Sequence, residues 1–184
     1  MKKTSTHIDG LYVIENTCFK DLRGEFVEFW NHEKFKKEHL KINFFQDNIS
    51  KSKKHVLRGL HFQNKPHGQT KYVSVIKGKV LDVVVDIRKE STTFGKHFEI
   101  ELSEKTHYAL WIPSGFAHGF LALEEESIFT YKCSGAYSPK HEHVIKWDDP
   151  ELGIKWGVKN PIVSEKDNNG ISFKQYKASN SING

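Results

Sequence analysis

The chain has little of what usually announces a protein class. Of its 184 residues only two are cysteine, five proline and one methionine. Cys18 and Cys133 lie far apart with no metal or disulfide spacing around them, which excludes a disulfide scaffold and a zinc finger. No apolar run approaches the roughly 20 residues that a spanning helix needs, so no membrane association is expected. The opening M-K-K-T-S-T-H-I-D-G has no apolar core behind its lysines, unlike a signal peptide. Neither a recognition-helix pattern nor an RNP-like aromatic motif is found, so no nucleic-acid partner is expected. These absences together describe a reduced, cytoplasmic protein. The length suits one domain over residues 1–184, with a core from about 11 to 167, large enough to need neither disulfide nor metal.

What is present is aromatic and basic: 13 Phe, 6 Tyr, 4 Trp and a net charge of +5. Much of the excess charge sits in K-F-K-K and K-S-K-K, mixed with glutamates. A solvated face is the common reason for such runs, though the charge also permits an anionic ligand.

Strand signals dominate the order of the chain. Residues 1–10 read as frayed and 11–14 as a short strand. A loop through Asp21, Arg23 and Gly24 precedes an apolar stretch, 26–30, whose parity suggests a strand buried on both faces. Asn31 can cap a short helix over 32–39, with Phe35 and Leu40 turned inward. Strands are then expected at 44–46 and 56–62, parted by the polar S-K-S-K-K. Two more, at 72–76 and 80–87, flank Lys77-Gly78-Lys79, which reads as a hairpin turn. Residues 98–102 alternate as a half-exposed strand, and 109–112, 116–123 and 127–133 complete the set. Many short strands about ten residues apart, with almost no helix, indicate an all-β sandwich or jelly roll. Beyond Tyr137 a Pro-, Asp- and Gly-punctuated stretch should wrap the body, and 172–184 should be loose.

The chemistry concentrates in residues 56–71, V-L-R-G-L-H-F-Q-N-K-P-H-G-Q-T-K. His61 can accept a proton near neutrality, since an unperturbed imidazole has a pKa of about 6.5. A lone strand histidine is more often a satisfied rim residue, but here Arg58, His67, Gln69 and Lys71 accompany it. Arg58 stands at the wrong parity to share a face with His61, yet close enough to flank the same mouth. The set suggests proton transfer on an anionic substrate.

A second constellation, W-I-P-S-G-F-A-H-G-F at 111–120, sets His118 on the strand leaving a tight turn. It resembles the second motif of the cupin jelly rolls, where that histidine ligates a metal. The matching first motif is broken, because Gln63 stands where its second histidine would be and no glutamate follows before Gly78. A site sketched from His61, His67 and His118 fits metal spacing poorly. Tyr131 alternates with Phe129 in a strand, Tyr137 sits at a turn where it could stack on a flat ligand, and Asp167 could orient a histidine.

Six runs in order, D-L-R-G-E-F-V-E-F, F-F-Q-D-N-I-S, L-R-G-L-H-F-Q, V-V-V-D-I-R-K-E-S-T-T-F-G, L-W-I-P-S-G-F-A-H-G-F and P-I-V-S-E-K-D, resemble the dTDP-4-dehydrorhamnose 3,5-epimerase family. The likeness implies a metal-independent, cofactor-free, cupin-like double-stranded β-helix, working as a homodimer on a dTDP-4-keto-6-deoxy sugar. Close relatives invert only C3 or only C5. By this resemblance His61 is the base, held by Asp167, Lys71 stabilises the enolate and Tyr131 is the acid. Arg23, Glu28, Gln46, Asp47, Asn48, Arg58, His118, Glu142 and Lys166 fall on substrate contacts, and Tyr137 on the residue that stacks on thymine. Arg23 and Glu28 are implied to reach the neighbouring subunit through exchanged N-terminal strands. The chain departs at Lys140-His141-Glu142-His143, where the family reads E-H-E-R, and at Ala136, where many members carry an aromatic. His143 is expected to alter an ion pair or contacts near the ligand.

Overall fold

A computed structural model describes residues 1–179 and 182. The strands are β1 (Lys2–Ser5), β2 (Tyr12–Glu15), β3 (Cys18–Asp21), β4 (Gly24–Val27), β5 (Gln46–Ser52), β6 (Leu57–Gln63), β7 (Lys71–Lys77), β8 (Lys79–Asp86), β9 (His97–Ser103), β10 (Tyr108–Ile112), β11 (Phe116–Ala122), β12 (Ser127–Cys133) and β13 (Glu142–Val144). Three short helices are α1 (His32–Lys37), α2 (Glu165–Asn168) and α3 (Phe173–Ala178). A six-stranded sheet, ordered β1-β2-β10-β7-β12-β5, faces a five-stranded sheet, β13-β6-β11-β8-β9, while β3 and β4 form a separate hairpin. The molecule is an all-β jelly roll of the cupin type.

The alternating side chains of the two sheets meet in a core that includes Val73, Val75, Val84, Leu110, Phe120 and Phe129. The outer face of the five-stranded sheet is covered as well. Leu57, Leu60, Phe62, Val83 and Val85 pack there against Ile145, Trp156, Phe173 and Tyr176 from the end of the chain. A strand covered on both faces needs no polar alternation, which is why β8 reads as a nearly continuous apolar run. On the far side of the six-stranded sheet, α1 seats Phe35 against Tyr72, Trp111 and Trp30. Asn31 caps this helix, its side chain accepting from the Lys34 N–H at 3.1 Å.

Several sequence expectations need correction. The N-terminus is not frayed, because β1 pairs antiparallel with β2 from Lys2↔Glu15 to Ser5↔Tyr12. The strand expected at 26–30 ends at Val27, and Phe26 is exposed. Phe29 and Trp30 instead leave the hairpin to join the aromatic cluster on Tyr72. Three of the five residues of S-K-S-K-K belong to β5 rather than to a loop, since Ser50, Lys51 and Ser52 pair with β12. Lys77-Gly78-Lys79 is a corner and no hairpin: β7 and β8 lie in different sheets. Gly78, at φ +77°, turns the chain across the sandwich in a conformation that side-chain-bearing residues rarely adopt. The region 172–184, expected to be loose, contains α3, with a Ser172 capping box. There Phe173 and Tyr176 are buried, and the Tyr176 hydroxyl donates to the Ile87 carbonyl at 2.5 Å. Two aromatic anchors outweigh the polar composition that made the segment look loose. Of the same stretch, residues 180, 181, 183 and 184 lie outside the described residues.

Candidate active site

The mouth of the jelly roll encloses a cavity of about 350 Å³, lined by Gln46, Asn48, Arg58, His61, Lys71, His118, Tyr131, Tyr137 and Glu142 among others. Strand geometry explains most of this set. Across β5, β12 and β7, Asn48 pairs with Tyr131 and Tyr131 with Val73, while Gln46 pairs with Cys133 and Cys133 with Lys71. With a side-chain period of two, these rows point to one face. Lys71 and Tyr131 therefore project together into the cavity from neighbouring strands. The same period turns Asp47 outward, where it pairs with Lys132 at 2.8 Å. Asp47 does not line the site, contrary to the expectation for the Gln46-Asp47-Asn48 run.

Arg58 and His61 are brought to one face by a bulge. On β11 two steps separate His118 from Phe120, yet their partners on β6, His61 and Arg58, are three residues apart. The extra residue reverses the alternation. It is accommodated where Gly59, at φ +136°, meets Gly119: a Cβ on Gly59 would lie 2.5 Å from the Gly119 Cα. Only glycine fits that backbone approach.

Asp167 arrives beneath His61 from far along the chain. Residues around Ile162 run parallel beside the start of β6, with the Leu57 N–H donating to the Ile162 carbonyl at 2.9 Å. Ser164 then caps α2, which carries the buried Asp167. His61 Nε2 lies 2.7 Å from Asp167 Oδ1, and the Gly59 N–H donates to Asp167 Oδ2 at 3.1 Å. Burial alone would push this carboxyl up, but the His61 hydrogen bond and charge, with the Gly59 N–H, hold it below its usual value. An ionised Asp167 accepts from Nε2–H and leaves the lone pair on Nδ1. That is the orienting arrangement a histidine base requires.

Electrostatics separate the other two ionisable groups. Burial pushes the Lys71 ammonium down, offset in part by Cys133, Glu142 and Asp82. Burial pushes the Tyr131 phenol up, helped by Cys133 and Glu142 and opposed by Arg58. Tyr131 thus keeps its phenolic proton to a higher pH than an exposed tyrosine would. At the rim the Tyr137 hydroxyl donates to Glu142 Oε2 at 2.7 Å, and Lys166 pairs with the same carboxylate. Tyr137 is half exposed, its ring free to take a flat ligand.

The floor holds a pair that sequence reasoning missed. His118 Nε2 lies 2.9–3.0 Å from both oxygens of Asp82, and both residues are buried. The signal was legible: a carboxylate inside the V-L-D-V-V-V run must find a partner if the strand is buried. Ser50, Phe120 and Phe129 also line the cavity without having been singled out.

Four further residues singled out in the sequence lie outside this chain's cavity. Arg23 sits at the tip of the β3–β4 hairpin, exposed and paired with Asp21 at 2.5 Å. Glu28 pairs with Lys34 at 2.5 Å and accepts from Asn31. Neither reaches the cavity. His67 lies outside it, its ring 4.0 Å from that of His141, so the three-histidine metal sketch does not assemble. His143 packs on Phe62 on the outer side of β6, its ring centroid 5.4 Å away. Its replacement of an arginine falls away from the ligand cavity, not beside it.

Known proteins resemble the chain over nearly its whole length. The family model for dTDP-4-dehydrorhamnose 3,5-epimerase matches residues 5–175. A Shigella flexneri dTDP-4-dehydrorhamnose 3,5-epimerase is 46% identical over 174 residues, covering 94% of this chain and 96% of its own. The crystal structure of the Elizabethkingia anophelis enzyme superposes with a TM-score of 0.90 at 45% identity, over 95% of this chain and 97% of that one. A Legionella pneumophila epimerase in complex with dTDP-4-keto-L-rhamnose superposes with a TM-score of 0.90 at 41% identity, over 94% and 93%. On its fold, its motifs and these relatives, the chain belongs to the dTDP-4-dehydrorhamnose 3,5-epimerase family.

Proposed function

We propose that this protein inverts C3 and C5 of dTDP-4-dehydro-6-deoxy-D-glucose, giving dTDP-4-dehydro-L-rhamnose. The observation that carries the reading is one cavity holding a carboxylate-oriented imidazole, a half-buried ammonium and a half-buried phenol. The C4 ketone acidifies the hydrogens on C3 and C5. His61 Nδ1 takes one of these protons, and the electron pair moves onto the C4 oxygen as an enolate. Lys71 neutralises that developing charge, which commonly supplies the largest catalytic contribution. Tyr131 then delivers a proton from the opposite face, inverting the centre. Arg58 and Lys166 suit the diphosphate, Tyr137 the thymine, and Gln46, Asn48, His118 and Glu142 the sugar and its neighbours.

Incubation with the keto sugar in deuterated water tests the double inversion. Deuterium enters at both C3 and C5, because imidazole and phenol protons exchange with solvent. Label at one carbon only would make the enzyme a single-centre epimerase. Tyr131→Phe separates the two halves of the reaction: product formation falls about 10²-fold or more, while solvent label continues to enter recovered substrate. Loss of exchange in step with product formation would remove Tyr131 from the role of acid.

The same reading makes the enzyme a cytoplasmic homodimer with exchanged N-terminal strands. Phe19, Leu22 and Phe26 on the hairpin, and Ile49 and Ile76 on the six-stranded sheet, are exposed, a concentration of apolar surface that a partner would cover. Exchange would also carry Arg23 and Glu28 to the neighbouring cavity, which they do not reach in their own chain. Sedimentation at micromolar concentration is expected to give twice the chain mass. A monomer at that concentration, fully active, would sink this part. Among the described residues no helix is long and apolar enough to cross a membrane.

A further inference from the structure

We propose that Cys18, Glu25 and His107 form a zinc-type transition-metal site that clips the β3–β4 hairpin to the turn before β10. Their ligand atoms all lie within 4.8 Å of one another, in the one such group of three found among the described residues. Cys18 Sγ stands 3.6 Å from Glu25 Oε2, and His107 Nε2 stands 3.3 Å from the same oxygen. With metal–sulfur bonds of about 2.3 Å and metal–nitrogen and metal–oxygen bonds near 2.0–2.1 Å, tetrahedral edges are about 3.5 Å for S–O and about 3.3 Å for N–O. The two separations to Glu25 Oε2 match those edges, and the Cys18 and His107 ligand atoms lie within 4.8 Å of each other.

The surroundings suit the role. Glu25 divides its two oxygens: Oε1 accepts from Lys20 at 2.7 Å, leaving Oε2 turned to the thiol and the imidazole. Lys20 thereby orients the carboxylate from outside, as partners of metal ligands commonly do. Backbone pairing holds the donors in place. Cys18↔Val27 and Lys20↔Glu25 are register pairs of the hairpin, and the Asn16 N–H donates to the His107 carbonyl at 3.2 Å. Glu25 and His107 also line a groove of about 770 Å³, with room for a water as fourth ligand. A thiolate, an imidazole and a carboxylate together favour Zn²⁺, with Co²⁺ as its spectroscopic stand-in, over Mg²⁺ or Ca²⁺. The plain alternative is a metal-free cluster in which Glu25 pairs with Lys20 and His107 and accepts from the Cys18 thiol.

Binding displaces the Cys18 thiol proton, so affinity tightens about tenfold per pH unit while the thiol is protonated. The site shares no residue with the cavity around His61 and takes no part in proton transfer. The test uses full-length protein freed of metal by chelation and titrated with Co²⁺. One equivalent is expected to bind with a thiolate-to-cobalt charge-transfer band, lost in Cys18→Ser and weakened at least about tenfold in affinity in His107→Gln. A second readout needs no variant: Zn²⁺ slows alkylation of Cys18, located by peptide mapping, in the wild-type protein. Absence of saturable one-to-one binding, a band that survives Cys18→Ser, or alkylation of Cys18 indifferent to Zn²⁺ would each overturn the site.

Discussion

His61→Ala lowers kcat/KM by about 10³–10⁴-fold and stops deuterium entry at both carbons, since general-base catalysis alone accounts for a factor of this order. Removing the imidazole also strips the buried Asp167 carboxylate of a partner 2.7 Å away, and an unpaired buried charge costs stability. His61→Asn keeps a donor on that side and serves as the folding control. If His61→Asn folds with an unchanged melting temperature yet retains half the activity, the base is another group. The pair also sets an acid limit. Asp167 titrates below its ordinary value, so the stability it contributes is complete above the unfolded carboxyl pKa. That stability is lost as pH falls through the lowered, folded value.

Lys71→Met is the second large effect, a fall in kcat of about 10²–10³-fold. KM should change less, because the enolate charge exists only beyond the ground state. Methionine fills a comparable volume, which limits the disturbance to packing between β10 and β12. Burial lowers the Lys71 pKa, so the cationic form is lost at a lower pH than an exposed lysine would lose it. The alkaline limb of activity therefore lies below the ordinary lysine range, and Lys71→Arg, if it turns over, moves that limb upward. A Lys71→Met enzyme with wild-type kcat would remove the ammonium from the mechanism.

The two variants probe parts of the molecule that were unequally visible in its residues. The strand alternation of 98–102, the Asn31 cap and the ten-residue spacing of apolar runs were enough to indicate an all-β jelly roll. Each of those signals is local, extending over a few residues. Lys77-Gly78-Lys79 misled for the same reason. A glycine turn between two apolar strands looks alike whether the strands pair or pass to opposite sheets, and only the partners of β7 and β8 distinguish the cases. The polar tail misled because two buried aromatics, Phe173 and Tyr176, decide the fate of a segment whose other residues face water.

By itself the order of residues determined the fold class, the residue types of the cavity and the presence of His61, Lys71 and Tyr131 on strands. Tertiary structure alone decided which of them meet. Period-two alternation put Arg58 and His61 on opposite faces, and the bulge at Gly59, stabilised by its contact with Gly119, brought them to one. Asp167 reached His61 across 106 positions because residues near Ile162 pair beside β6. Asp47, adjacent in sequence to two cavity residues, was turned away by the pleat. Backbone periodicity is written locally, whereas bulges, parallel bridges and corners arise from contacts between distant segments, and the functional site is built from the second kind.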